Sequence, residues 1–417
     1  MGSQTAGKNR ESVNSAVRLM AVSHGLNHSY DGLLPILYSS ILSEFGLSYG
    51  SVGMLVMGYR LTAGGLQIMM GFLGRFVRRK TLLGVGLIWQ SVSNFLIAGT
   101  QEFGQILTVR TLAGVGSSPQ HPIATSYIAE NFSSRRLGRV IGMNIAAGQI
   151  GSFITPLAAT LLLSQVGWRG TIVAFSIPGM LVGTMFLFVF ESRRSRAPYK
   201  AAGVSTFLKD MREIFRSPPM LAIIAVQTVM AFRLGAGDFL PLYFERNLEM
   251  TPNEVGALYA IFLGSGIPAP YVWGYLSDRF ERRKVVMLAM GLGSLLWFLL
   301  PCVKNDAWLI SVVVMLGFIT VGVGGVVLAI VADSSGQVSR DLSYGICFTI
   351  SFALASFSPL IVGSLADAYG FQTSFTYVAL ISLSSVVAAY FLRNGRQDDP
   401  EPENVDFSGD SAELTTI

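Results

Sequence analysis

Long apolar stretches recur along the 417-residue chain and are separated by short polar junctions. A bilayer core about 30 Å thick requires roughly 20 helical residues, and twelve stretches approach or exceed that length. Because lipid offers no partner to an open strand edge, each stretch is predicted to be a helix. The predicted spans are 18–43, 51–74, 81–99, 104–130, 137–164, 169–190, 218–245, 253–277, 284–303, 306–332, 341–366 and 372–393.

The composition supports an all-α membrane protein. Hydrophobic residues make up 51% of the chain and charged residues only 13%, whereas soluble domains carry about a quarter charged residues. The two cysteines lie in apolar stretches and predict neither a disulfide framework nor a metal cluster. Because residues 1–17 are polar and the first apolar stretch is long, we expect no cleavable signal peptide.

The distribution of basic residues predicts the orientation in the membrane. With the N-terminus inside, 24 of the 30 Lys and Arg residues lie on the cytoplasmic side, as topology rules require. Both termini are therefore predicted to be cytoplasmic, and the net charge of +5 does not indicate nucleic-acid binding. The predicted segments are a cytoplasmic tail (1–17), a first half (18–190), a basic cytoplasmic linker (191–217), a second half (218–393) and an acidic disordered tail (394–417).

The two halves are related by an internal repeat. Glycines, prolines and helix-start residues of four spans coincide when the sequence is shifted by 203 residues. The aligned pairs include Ser48 with Thr251, Gly53 with Gly256, Gly114 with Gly317, Pro156 with Pro359 and Gly167 with Gly370. After a small gap, Asp31 also aligns with Asp238. Ser48 and Thr251 are predicted to cap the helices that follow them. The chain is thus predicted to form two six-helix repeats, an arrangement in which transporters bind solute between the halves.

Span 1 carries a polar stripe on an otherwise apolar helix. At 100° per residue, His24, His28, Asp31, Pro35 and Tyr38 fall within about 80° of one another. His28 and Asp31 lie near the bilayer centre, where a carboxylate beside a histidine can exchange a proton near neutral pH. The alternatives are a capping role for His24, a structural role for His28, and a structural pairing of Asp31 with a buried arginine.

Charged residues also occur in other spans, where each requires a partner or a watery cavity. Arg60, Arg110 and Arg233 outnumber the clear mid-span acids, Asp31 and Asp238, which favours an anionic or zwitterionic solute. The two glycines between Arg233 and Asp238 predict a bent helix there; the alternative is an ion pair within a regular helix. The residues predicted to bind the solute are Arg60, His121, Arg233, Asp238 and Tyr38.

Two loops resemble the G-x-L-x-D-R-x-x-R-R loop of the major facilitator superfamily, one from Gly71 to Lys80 and one from Gly274 to Lys284. The second copy retains the Asp-Arg pair, whereas the first has Arg75 and Phe76. In that family the loop latches the cytoplasmic face; the alternatives are ordinary basic anchors and solvated helix-end charges. The resemblance implies a latch made of Gly71, Arg79, Glu130, Gly274, Asp278, Arg279, Arg282, Asp333 and Arg340.

Span 4 contains the segment Arg110-x-x-x-Gly114-x-Gly116, which resembles a superfamily motif whose arginine is linked to proton coupling. The following Ser-Ser-Pro-Gln-His-Pro resembles the fosmidomycin-resistance branch, whose members are proton-driven drug effluxers in bacterial or archaeal cytoplasmic membranes. The resemblance implies that Asp31, His28 and Arg110 couple transport to protons. The alternative for Arg110 is a structural role, with hydrogen bonds to backbone carbonyls.

The sequence shows no phosphate-binding loop, HExxH motif or catalytic serine elbow. We therefore expect no enzymatic activity and no cofactor. The predicted function is proton-coupled efflux antiport of a small amphipathic solute; the alternatives are proton-coupled import of an organic anion and a non-transporting receptor. The expected partners are the solute, protons and the lipid bilayer, without nucleic acid, and the protein is expected to be a monomer.

Overall fold

The computed structural model describes residues 2–74, 76–132, 134–189, 204–304, 307–334 and 340–392, and the regular elements in these ranges are helices. The first half contains α1 (Gly2–Phe45), α2 (Tyr49–Gly65), α3 (Gln67–Leu73), α4 (Arg79–Ile97), α5 (Phe103–Ser117), α6 (Gln120–Asn131) and α7 (Ser134–Val189). The linker helix is α8 (Val204–Arg216). The second half contains α9 (Pro218–Gly237), α10 (Leu240–Asn247), α11 (Pro252–Ser265), α12 (Ala269–Arg279), α13 (Arg282–Leu299), a short 3-10 turn (Leu300–Cys302), α14 (Ala307–Gly322), α15 (Gly324–Ser334), α16 (Arg340–Ala355) and α17 (Ser358–Tyr390).

These elements form the predicted fold of twelve membrane helices in two repeats. Several predicted spans are broken into two helices, such as α5 and α6 or α9 and α10. Conversely, α7 and α17 each contain two spans, which meet at Gly167 (φ 68°, ψ 178°) and Gly370 (φ 81°, ψ 168°). Only glycine adopts these backbone angles without strain. The same glycine therefore separates the last two spans of both halves.

The helix starts predicted after the first and seventh spans are confirmed. The Ser48 hydroxyl accepts a hydrogen bond from the backbone N–H of Ser51. Thr251 forms a full capping box with Glu254, whose carboxylate accepts a bond of 2.8 Å from the Thr251 N–H. These caps satisfy backbone groups that a helix start leaves without a partner.

The polar segments are more helical than the hydropathy pattern indicates. Helix α1 begins at Gly2, so that the predicted tail 1–17 continues the first span, and α8 occupies much of the predicted linker. Hydropathy does not reveal such segments because polar residues also form helices. Residues 190–203, Arg75 and the predicted acidic tail lie outside the described residues.

The apolar cores show how the halves are joined. We call the end of the bundle that carries α8 the linker side, and the opposite end the outer side. One large core on the outer side contains buried residues of both halves, such as Leu37 and Phe375. On the linker side, separate cores lie within single halves, one around Phe186 and one around Trp273. The halves therefore share one core on the outer side, whereas the linker-side cores lie within single halves.

The contact between the halves follows the internal repeat. A side chain at Gly53 of α2 would collide with the backbone of Pro359 in α17. At the equivalent position of the other half, a Cβ on Gly256 would lie 3.2 Å from the carbonyl oxygen of Pro156. Small residues permit such close helix packing in membranes. Two pseudo-symmetric contacts thus hold the halves together.

Polar contacts close the outer side further. The Asp367 carboxylate accepts hydrogen bonds of 2.8 Å from the backbone N–H groups of Tyr49 and Gly50. Ser39 donates to Glu245 across the halves at 2.6 Å. These contacts, together with the shared core, close the structure on the outer side.

Candidate functional site

A narrow pocket lies between the halves, next to the shared outer core. It is lined by Asp31, Pro35, Tyr38, Val56, Tyr59, Arg60, Arg110 and Asp238. Three of these residues were predicted to bind the solute (Tyr38, Arg60 and Asp238), and two were predicted to couple transport to protons (Asp31 and Arg110). The structure thus brings together charged residues from three spans of the first half and one span of the second.

An ion pair joins the two halves in this pocket. A guanidinium nitrogen of Arg60 on α2 donates to Asp238 at 2.7 Å. Helix α9 ends at Gly237 and α10 begins at Leu240, so the predicted bend is present at this point. Asp238 thereby pairs with the opposite half. The attraction between two partly buried charges in close contact offsets much of the hydration free energy that each charge loses.

Arg110 is held by an aromatic ring and an amide. Its guanidinium carbon lies 3.6 Å from the centre of the Tyr59 ring, and it donates a 3.4 Å bond to the Asn94 side chain. Arg110 is only 3% exposed, and its Nε has no hydrogen-bond partner in the described ranges. The contacts of Arg110 are thus with side chains, whereas the alternative of a structural role expects hydrogen bonds to backbone carbonyls. A cation–π contact holds the charge while leaving part of its donor capacity unused.

A chain of neutral polar side chains supports Tyr59 from behind. The Tyr59 hydroxyl accepts a hydrogen bond from Gln90 at 3.1 Å, and the Gln90 carbonyl accepts one from Asn27 at 2.8 Å. Ser117 in turn donates to Asn27 at 3.0 Å. This network fixes the position of the aromatic ring beneath Arg110. Sequence reasoning based on charge missed these residues, although amides within apolar spans are a signal of interhelical hydrogen bonds.

The histidines form a cluster beside the pocket. His28 and His121, which were assigned to different roles, lie with His24 at ring-centre distances of 4.8, 4.9 and 5.6 Å. His28 Nδ1 is 3.6 Å from the Asp31 carboxylate. His24 does not cap a helix end, because its Nδ1 contacts the Asn144 carbonyl of α7 at 2.8 Å.

Arg233 lies away from the pocket. It is 0% exposed, and its guanidinium packs against Gly293 inside the second half. None of its side-chain nitrogens has a hydrogen-bond partner in the part of the chain that the structure describes. This conformation therefore does not place Arg233 where the prediction of a solute contact requires it. The reason is that Asp238, after the helix break, faces Arg60, while Arg233 points into its own half.

The first latch loop forms an ion pair within its own half. Arg79, at the start of α4, is buried and pairs with Glu130 near the end of α6. This pair joins the basic loop to the acid at the end of span 4. A Cβ on Gly71 would meet nothing closer than Pro122 at 3.9 Å, so packing does not require glycine in this conformation.

The second latch loop lies at the junction of α12 and α13. Asp278 and Arg279 end α12, and Arg282 begins α13. The Arg279 guanidinium lies 4.6 Å from the centre of the Tyr275 ring. A Cβ on Gly274 would meet nothing within 4 Å. The side chains of Asp333 and Arg340 lie outside the described part of the structure, and their predicted latch roles remain predictions.

Two related helical halves with a charged pocket between them define a membrane transporter. The chain belongs to the Major Facilitator Superfamily, whose profile matches residues 20–246 and 237–414. Proteins of this family are transporters and not enzymes. The predicted superfamily and fold are therefore confirmed, and the chain is an integral, multi-pass membrane protein.

Individual relatives are distant but match most of the chain. The fosmidomycin resistance protein of Escherichia coli K12 is 21% identical over 91% of this chain and 93% of its own length. The cis,cis-muconate transport protein of Acinetobacter baylyi is 24% identical over 88% of this chain and 91% of its own length. A bacterial homologue of the human lysosomal transporter Spinster has a similar structure, with a TM-score of 0.78 at 15% identity over 91% of this chain and 98% of that protein. This structural similarity concerns the fold alone.

Proposed function

We propose that the chain is a proton-coupled secondary transporter of a small organic anion. The observation that carries this proposal is the ion pair between Arg60 and Asp238, which joins the two halves in the pocket that also holds Asp31 and Arg110. A solute that replaces one partner of this pair acts directly on the contact between the halves. Solute binding is thereby linked to their relative movement.

The two arginines bind the anionic group of the solute. A guanidinium presents planar donors that match a carboxylate, and Arg110 contacts a ring and an amide but no carboxylate within the described residues. Arg60 becomes available once Asp238 is displaced. A relative offers chemical support, because the solute in its name, cis,cis-muconate, is a dicarboxylate.

Asp31 carries the coupled proton. Its side chain is 37% exposed, lies beside His28 and shares the pocket with the two arginines. An ionised Asp31 repels an anionic solute and competes for the guanidinium groups, whereas a protonated Asp31 does neither. Proton binding and anion binding therefore favour each other, which is a coupling free energy between two sites.

The halves rock about the contacts of Gly53 with Pro359 and of Gly256 with Pro156. The linker side is cytoplasmic in a bacterial or archaeal membrane, and a monomer is sufficient because each monomer contains both halves. When the halves close on this side, the two basic loops approach the opposite half and act as the latch. The present conformation is then one in which the external side is closed.

Proton-driven efflux is the second candidate, favoured by the relative named for fosmidomycin resistance. It uses the same pocket, but the proton and the solute move in opposite directions. In an antiporter they compete for the site, whereas in the importer they bind together. The direction of the proton gradient that drives uptake distinguishes the two candidates.

The test uses the full chain in proteoliposomes, with labelled cis,cis-muconate and a panel of other carboxylates as probes. Uptake driven by external acid supports anion–proton import, and uptake driven by internal acid supports antiport. Arg110→Gln should raise the KM for the anion at least about tenfold, a loss of about 1.4 kcal/mol in binding, whereas exposed Arg212→Gln should leave it unchanged. Uptake that ignores the gradient, or that never exceeds protein-free liposomes for any probe, would contradict the proposal.

A further inference from the structure

All three histidines of the 417-residue chain lie together in one cluster. His24 and His28 are one turn apart on α1, and His121 follows the break between α5 and α6. One ring nitrogen from each histidine lies within 4.8 Å of the others. Three imidazoles drawn from two helices thus face a common volume inside the first half.

His24 presents a nitrogen lone pair to this volume. Its Nδ1 lies 2.8 Å from the Asn144 backbone carbonyl, which can only accept a hydrogen bond, so Nδ1 carries the proton. The Nε2 atom is then a free lone pair. It is buried, has no hydrogen-bond partner among the residues that the structure describes, and belongs to a residue only 2% exposed. A backbone carbonyl that fixes the tautomer in this way is the usual outer partner of a metal-binding histidine.

His28 has a carboxylate beside it. Its Nδ1 lies 3.6 Å from the Asp31 carboxylate, slightly beyond hydrogen-bond distance, and a small rotation of either side chain would give the carboxylate–histidine pair found behind many metal ligands. His121 is exposed, and this leaves its ring free to turn toward the other two. His24 and His28 are therefore placed to coordinate a metal ion, and His121 can rotate to join them.

A glycine of α7 leaves room beside these rings. A Cβ on Gly148 would lie 3.0 Å from Cδ2 of His28 and 3.1 Å from Nε2 of His24. Both distances are tighter than ordinary contacts, so any larger residue would press on the two rings. The absence of a side chain at position 148 preserves the space next to the unpartnered nitrogen.

We propose that His24, His28 and His121 form a binding site for a divalent transition-metal cation such as Zn²⁺. Imidazole nitrogen is a preferred ligand of Zn²⁺, Ni²⁺ and Cu²⁺, and three histidines with one open position form a common zinc geometry. Nitrogens around a tetrahedral Zn²⁺ lie about 3.4 Å apart, given Zn–N bonds of about 2.1 Å. The cluster therefore contracts on binding, from separations of up to 4.8 Å to about 3.4 Å, through rotation of the exposed His121. The site lies within one half and does not depend on the proposed function.

The test is metal binding by the purified full chain, prepared with an affinity tag that lacks histidine. We expect one equivalent of Co²⁺ with the visible absorption of a tetrahedral complex, and displacement of that absorption by Zn²⁺. His121→Ala should weaken binding at least tenfold, the lower end of the effect of losing even an outer partner. A chain that binds no Co²⁺ or Zn²⁺, or a His121→Ala variant that binds as the wild type does, would overturn the proposal.

Two glycines provide a matched pair of variants on α7. Gly148→Ala adds a methyl group against the rings and should also weaken binding at least tenfold without removing a ligand. Gly142→Ala adds the same group where nothing lies within 4 Å and should bind as the wild type does. Binding that Gly148→Ala leaves unchanged would count against the site.

The two cysteine thiols can also act as metal ligands, and a separate variant controls for them. Cys302→Ser with Cys347→Ser should leave Co²⁺ binding unchanged, and loss of binding in this variant would assign the metal to the thiols and overturn the proposal. His24→Ala removes a buried contact with Asn144 and can unfold the chain. His121→Ala changes an exposed residue and therefore keeps the proposal testable.

Discussion

The two halves share a backbone plan but differ in chemistry. At the 203-residue offset, Leu263 and Val313 occupy the positions of Arg60 and Arg110, and Gly324 occupies that of His121. The first half thus carries the two arginines of the pocket and the three histidines, whereas the second half contributes Asp238 to the pocket. A symmetric fold therefore holds an asymmetric site.

The features that the repeat preserves are those that control helix approach. A side chain on Gly114 would collide with the backbone of Tyr59, and a side chain on Gly317 would collide with that of Phe262 at the equivalent position. Such contacts permit only glycine, whichever solute is carried. Packing therefore limits the small residues in both halves, whereas the polar residues of the two halves differ.

The largest expected effect comes from making the first half resemble the second. Arg60→Leu installs the residue found at position 263 and should reduce transport at least about 100-fold, because it removes a binding group and leaves Asp238 without its partner. The measurement is the initial rate of solute uptake in proteoliposomes. Exposed Arg212→Leu is the control for loss of a positive charge.

A second variant separates this effect from misfolding. Arg60→Leu combined with Asp238→Asn removes the uncompensated charge and should restore thermal stability while transport stays lost. Recovery of transport together with stability would show that the arginine only supports the structure. The solute-binding group would then not be Arg60 of the first half.

The next effect concerns the two symmetric contacts. Gly53→Val and Gly256→Val should each disturb the outer interface and raise the reactivity of a cysteine introduced at buried Ser39 about tenfold, in a chain without Cys302 and Cys347. The readout is labelling by a membrane-impermeant maleimide. Gly104→Val is the control because nothing lies within 4 Å of that glycine. Labelling that rises in only one of the two variants would show that the contacts are not equivalent.

A smaller effect is expected at the buried charge of the second half. Arg233→Met removes a guanidinium without hydrogen-bond partners among the described residues and should stabilise the fold by about 1 kcal/mol. The solute KM should not change, because Arg233 does not reach the pocket. Thermal unfolding and uptake kinetics test the two parts. A raised KM would show that Arg233 contacts the solute, as the sequence analysis predicts.

The smallest effect is expected at an ion pair on the outer side. Arg169 and the Trp168 indole donate to Glu44 at 2.6 and 2.7 Å and hold the pKa of this carboxyl below its usual value. A lowered carboxyl pKa stabilises the fold above the unfolded-state pKa, and this contribution disappears as the pH falls through the folded-state pKa. Because the pair is exposed, Glu44→Gln should cost less than about 1 kcal/mol at pH 7 and nothing at strongly acidic pH. A cost that persists in acid would assign the effect to packing.

The fold was largely readable from the sequence because lipid leaves few alternatives for long apolar segments. The repeat identified Gly167 and Gly370 as equivalent, and the structure shows that both adopt a backbone conformation open only to glycine. Hydropathy could not show that α1 extends back to Gly2, since polar residues also form helices.

The site was only partly predictable, because a sequence shows charges without their partners. The stripe on span 1 correctly grouped His24, His28 and Asp31, since one helix fixes their relative positions. The pairing of Arg60 with Asp238 depends on how separate halves pack, which periodicity within a helix does not contain. The burial of Arg233 was missed for the same reason, as it depends on the space that Gly293 leaves on a different helix.

The most direct test of the asymmetric site compares two transport modes in Asp31→Asn. We expect that this variant still exchanges labelled for unlabelled solute across the membrane, because the arginines that bind the anion are intact. We also expect that it no longer accumulates solute in response to a proton gradient, while the exposed Glu102→Gln control behaves as the wild type does. Gradient-driven accumulation by Asp31→Asn at the wild-type level would show that Asp31 does not carry the coupled proton.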